Sequence, residues 1–186
     1  MTVRHERAGR RAGAFDAFEL AARGTSVDGS VDAATLPRIA DRLAEQQGRE
    51  AGVALVTWRI AGTQDALGRP ALEVGLDGAV SLECQRCLVP FAWPVAQRTL
   101  LLLAKDEREL ARLDEGDEHE VVLASGPLDP LTLVEDELLL TLPYAPRCER
   151  PECANATAAG AAASVDENAG AFGALAGWKP AAKPRK

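Results

Sequence analysis

Aromatic side chains are scarce: Phe, Trp and Tyr make up 4% of the 186 residues, with a single tyrosine among them. That is too few for a platform on which several nucleic-acid bases stack. Histidine occurs twice and cysteine four times. Two separated histidines, His5 and His119, give no catalytic triad. Four cysteines are too few for a disulfide-built miniprotein. The sequence has no Gly-rich phosphate loop and no Gly-x-Ser-x-Gly elbow. Its longest strongly apolar runs are about five residues, as at 100–104, against the roughly 20 that cross a bilayer. The charged opening, residues 1–7, has no apolar stretch behind it, which reads against a secretory signal. The expected compartment is the cytoplasm, where thiols stay reduced, and no membrane is expected as a partner.

Hydrophobic residues account for 47% of the chain and charged residues for 26%, the ordinary globular range. The length suits one domain with one core. The formal charge is -7, but residues 1–23 carry +2 and residues 179–186 carry +4, which leaves -13 for the stretch between. An acidic body repels phosphate, so contact with an anionic partner belongs to the basic ends or to local arginines.

Leu36, Ile39, Ala40 and Leu43 fall at helical spacing, with Pro37 in the first turn and Gly48 as a stop, which predicts a helix near 35–47. Residues 53–60 read as a strand, and 62–69 as a loop. From Leu72 the pattern alternates strictly: Leu72, Val74, Leu76, Val80, Leu82 and Cys84 take one phase and Glu73, Asp77, Ser81 and Glu83 the other. This predicts an antiparallel strand with one wet face, bent or bulged near Gly78. Pro90 and Pro94 restrict the next strand to an edge or leave it irregular. Residues 105–120, with eight acids against three bases, read as a solvated loop, and 119–123 as a short strand. Asp129 is placed to cap, and Pro130 to open, a helix over 129–141 with Leu131, Val134, Leu138 and Leu142 on one face and Glu135, Asp136 and Glu137 in solvent. The result is an α+β fold, mostly antiparallel sheet with two main helices. Four segments follow: a basic, partly flexible one at 1–30, with Phe15, Phe18 and Leu20 as a possible edge strand; a single domain at 31–153; an Ala/Gly-rich linker at 154–170; and a short docking segment with a basic tail at 171–186.

Cys84-Gln85-Arg86-Cys87 is the strongest chemical signal. A thioredoxin-like redox pair would open a helix, but two prolines follow within seven residues. A metal knuckle requires only a tight turn aiming both sulfurs at one point. Cys148 and Cys153 supply the other half of a tetrahedral set. Four thiolates make a closed, structural zinc site, so the ion would act as a tertiary staple across sixty intervening residues.

The order of several segments resembles the bacterial YceD family, the large ribosomal RNA subunit accumulation proteins. They are Leu36-Pro37-Arg38-Ile39-Ala40, then Leu82-Glu83-Cys84-Gln85-Arg86-Cys87-Leu88, and Ser125-Gly126-Pro127-Leu128-Asp129 leading into Leu133-Val134-Glu135-Asp136-Glu137-Leu138. Leu142-Pro143-Tyr144-Ala145-Pro146-Arg147, Cys153 and a segment from Phe172 to Lys179 complete them. The family often has histidine where Cys148 stands, which keeps a ligand-competent residue. The resemblance implies a non-enzymatic ribosome-biogenesis factor that supports synthesis, processing or stability of 23S rRNA. It implies as partners a large-subunit precursor, a ribosomal protein or rRNA. It offers no catalytic residue to carry over. Arg86, Phe172, Leu175, Trp178, Lys179, Lys183, Arg185 and Lys186 are the candidate RNA- or partner-binding residues. The competing readings are a cytoplasmic thiol oxidoreductase using Cys84 and Cys87, and a general interaction module.

Overall fold

A computed structural model describes residues 13–44, 54–116 and 119–153. The chain divides into two compact units, Met1–Arg147 and Cys148–Lys186. In the first, α1 (Ala17–Arg23) leads to β1 (Ser26–Asp32), a 3-10 turn (Ala33–Thr35) and a short α2 (Pro37–Ala40). Then come β2 (Leu55–Gln64), β3 (Pro70–Glu83), β4 (Pro90–Ala104), α3 (Glu107–Asp114), β5 (Glu120–Leu123) and α4 (Pro130–Thr141). The five strands form one sheet in sequence order, β1-β2-β3-β4-β5. The first four run antiparallel, as the alternation requires, and β5 lies parallel to β4.

The in-phase residues of β3 do face the core. Leu72, Val74, Leu76, Val80 and Leu82 pack with Val56, Trp58 and Ile60 of β2, with Leu20 and Ala21 of α1, and with Leu133, Val134 and Leu138 of α4. On the other side of the sheet Thr57, Arg59, Asp77 and Arg98 are exposed. The β3–β4 register is continuous from Ala71↔Leu102 to Glu83↔Pro90, so the expected bulge at Gly78 is absent. Gly78 has another use. Its φ is 151°, and a Cβ there would lie 2.5 Å from the Leu55 carbonyl oxygen. A second close approach seats α1. At Gly62 of β2 a Cβ would lie 2.0 Å from the Leu20 carbonyl oxygen, so helix backbone rests directly on strand backbone.

Several expectations are corrected. Phe18 and Leu20 belong to α1, not to an edge strand. Asp16 caps that helix by accepting from the Glu19 amide at 2.9 Å, and Gly24, at φ 60°, closes it in the left-handed conformation. The helix expected near 35–47 is confined to Pro37–Ala40 and an irregular turn, because the Ala44 amide donates to the Ser81 carbonyl at 2.9 Å and draws the chain onto β3; residues 45–47 lie outside the described ones. Strand β2 runs on to Gln64, through part of the expected loop. The acidic stretch holds α3, capped by Asp106, which makes the crossover that a parallel β5 demands. Pro90 and Pro94 do lie on an open sheet edge, as expected, although the same strand continues into the sheet interior. Strand β5 pairs only with residues 101–104, so the proline end of β4 has a single neighbour strand, β3.

Helix α4 starts as expected, with the Asp129 carboxylate accepting from the Leu131 amide at 2.9 Å. Phe15 and Leu128, each just ahead of a capping aspartate, exchange two backbone hydrogen bonds of 2.9 Å and set the two helix starts side by side. Glu135 and Glu137, expected in solvent, are buried, because α4 is covered by α2 on one flank and by the sheet on another. Glu135 accepts from the Arg38 amide at 2.7 Å and from its Nε at 3.2 Å, while exposed Asp136 takes the far end of the same guanidinium. Burial pushes the Glu137 carboxyl up. The Thr99 hydroxyl opposes that rise, and the Glu120 and Asp136 charges add to it. Glu137 Oε2 has no hydrogen-bond partner among the described residues.

Two outcomes follow. Glu135→Ala strands the Arg38 amide and is expected to cost about 2 kcal/mol, against about 0.5 kcal/mol for Asp136→Ala, in urea unfolding of the two variants. A raised folded-state value means that the native protein holds a proton on Glu137 that the unfolded chain releases, so stability is lost as pH rises above the ordinary carboxylate range. Thermal unfolding of Glu137→Gln should match the parent near pH 4, by the ordinary carboxyl value, and exceed it increasingly toward pH 7.

Candidate metal centre

Strand β3 ends at Glu83, β4 begins opposite it at Pro90, and the six residues between make the connecting turn. The Cys84 amide donates to the Val89 carbonyl at 3.2 Å, and the Leu88 amide donates to the Cys84 carbonyl at 2.8 Å. These bonds fold the Cys-x-x-Cys stretch back on itself. Leu88 takes the left-handed conformation, φ 56°, which a branched side chain adopts only at some cost. Behind the turn Phe91 and Trp93 meet edge to face, centroids 6.4 Å apart.

The other half of the centre depends on where α4 stops. Leu142 is extended, Pro143 forbids a further turn, and the Gln85 amide donates to the Pro146 carbonyl at 2.9 Å. That bond brings the chain after α4 against the turn after β3. In the second unit, the Cys153 amide donates to the Arg150 carbonyl at 3.1 Å, a compact bend carrying Cys148 and Cys153. The Sγ atoms of Cys84, Cys87, Cys148 and Cys153 all lie within 4.8 Å of one another. Three of the four are buried, Cys87 is partly exposed, and all are thiols rather than disulfides. A tetrahedral ion at about 2.3 Å from each sulfur holds its ligands roughly 3.8 Å apart, so this donor set fits a thiophilic metal in number, chemistry and spacing. It leaves no open coordination position, and such a site supports structure.

Cys84 follows the end of one strand and a turn leads straight into the next, so the pair does not open a helix as helix-borne redox motifs do. Arg86 is exposed at the tip of the turn. The other candidate contact residues, Phe172, Leu175, Trp178, Lys179, Lys183, Arg185 and Lys186, lie outside the described residues. The Arg38–Glu135–Asp136 clamp escaped sequence reasoning, as did Asp65. The latter accepts from the Arg69 amide at 2.7 Å and its Nε at 2.6 Å within the β2–β3 turn. Burial works to raise the Asp65 carboxyl, but the Arg69 and Leu67 hydrogen bonds and the Arg69 charge hold it below the usual range. Asp at the head of a turn and Arg four residues on were the available signal. No helix among the described residues is long and apolar enough to cross a membrane.

Fold and site together define a small α+β protein built round four clustered thiols. The chain belongs to the YceD family. The family model described as large ribosomal RNA subunit accumulation protein YceD matches residues 72–176, more than half of its length, from β3 past all four cysteines. The family is named for accumulation of a ribosomal RNA and not for a catalysed reaction. No solved structure matches the chain.

Proposed function

We propose that this protein is a non-enzymatic ribosome-biogenesis factor of the bacterial cytoplasm, supporting synthesis, processing or stability of 23S rRNA. The family match carries this reading. Within it, Cys84, Cys87, Cys148 and Cys153 hold a structural zinc ion, supported by their shared position within 4.8 Å. Zinc prefers four thiolates, stays redox-inert and stabilises whatever segments its ligands join. The chain's own residues then supply recognition. A large-subunit precursor, ribosomal protein or rRNA is the partner class, with Arg86 on the turn and the residues from Phe172 to Lys186 as contacts.

Elemental analysis of the purified full chain is expected to give about one zinc per molecule. Cys148→Ser should lose that metal and lower the unfolding midpoint by roughly 10 °C. A metal-free protein of unchanged midpoint would remove the zinc reading. For the function, depleting the protein in cells is expected to lower the ratio of 23S to 16S rRNA, and an unchanged ratio would sink it.

A further inference from the structure

Beside the cysteine turn, three stretches of the first unit enclose a groove of about 320 Å³. Its apolar wall comes from Leu82 at the end of β3 and from Leu142, Pro143 and Tyr144 after α4. Asp41 and Glu83 are exposed among the lining residues, with Arg42 the one cation among them. Tyr144 is 97% exposed, although an aromatic ring has much to gain from cover. On the adjoining turn Leu88 and Val89 are also exposed, and Leu88 holds its left-handed backbone with its side chain in water. Strain and apolar exposure at one place, next to a concavity, mark a surface that something covers.

Charge says what kind of partner covers it. The chain carries -7 overall, and -13 between its two basic ends. An RNA strand here would lay its phosphates beside Asp41 and Glu83 and enter a repulsive field, with one tyrosine to stack on. A cationic polypeptide gains from the same field during approach and from these two carboxylates once bound. We infer that the groove between Leu82 and Tyr144 docks a Lys/Arg-rich polypeptide segment of another protein, which buries an apolar anchor side chain against Tyr144. The inference names a partner chemistry for the role proposed above and rests on that reading.

The test places a photo-crosslinking benzoylphenylalanine at position 144 of the full chain in cells and identifies the adduct by mass spectrometry. The expected product joins position 144 to a Lys/Arg-rich segment of another protein, with its yield cut about tenfold by combined Asp41→Lys and Glu83→Lys. Asp41→Asn with Glu83→Gln serves if charge reversal impairs folding, as judged by the unfolding midpoint, and should cut the yield in the same direction. An adduct to RNA, to this chain's own residues or to a neutral or acidic segment would overturn the inference. So would no adduct, or a yield indifferent to these two charges. Separating this from the rRNA reading needs one more strain, carrying Tyr144→Ser. If depletion lowers 23S rRNA but Tyr144→Ser restores it fully, the groove assignment fails alone. If depletion leaves 23S rRNA unchanged while the crosslink forms as expected, the rRNA reading fails alone.

Discussion

In the ladder between β3 and β4, Ala71 through Glu83 lie opposite Leu102 through Pro90 with no residue inserted. A shift of one residue would turn Leu72, Val74, Leu76, Val80 and Leu82 outward and bring Glu73 and Asp77 into the core. The hydrophobic pattern therefore locks the register, and the register fixes where the connecting turn falls. Cys84 and Cys87 sit on that turn, so their position follows from burial of side chains far along the strands. The metal-type cluster is thus anchored at one end by the most strongly specified pairing in the molecule. The chain after α4 is tied to the same turn by the backbone hydrogen bond from Gln85 to Pro146.

The polar groups that look out of place in α4 serve the same end. A twelve-residue helix whose termination point matters must not slide or rotate on the sheet. Leu133, Val134 and Leu138 supply adhesion but little directional preference. Glu135 adds direction, because its two oxygens meet an amide and a guanidinium of one residue, Arg38. Glu137 does the reverse. Its buried carboxyl, with one oxygen lacking a partner among the described residues, detracts from stability whenever it ionises.

What could be read from the residues was whatever repeats or caps. Alternation along β3, Asp129-Pro130 ahead of α4, and two close cysteine pairs each carry a local physical reason, and each was legible. The joint position of the four sulfurs was legible too, because two close cysteine pairs in one chain have few other uses. Helix α1 was missed because seven residues make fewer than two turns, too few for the pattern to repeat, although Asp16 and Gly24 bracketed it. Helix α3 was hidden by its charge: only Leu110 and Leu113 offer an apolar side, and the need for a crossover is a property of the sheet. The burial of Glu135 and Glu137 was invisible for a similar reason, since a periodic pattern reports one buried face and α4 has two.

The parallel placement of β5 has a kinetic side. Strands β1 to β4 can assemble by neighbour pairing, with a five-residue loop between β2 and β3 and a six-residue one between β3 and β4. Hairpins with such short loops form in about microseconds. β5 cannot join by a simple reversal, because it runs parallel to β4 and needs the crossover through α3. The contact from Gln85 to Pro146 closes a loop of about sixty residues, so it carries a larger entropic penalty than any hairpin in the meander. The cysteine turn therefore closes at a smaller entropic cost than the contact that completes the cluster. A thiophilic ion that requires all four sulfurs can be held only once that longer loop is closed.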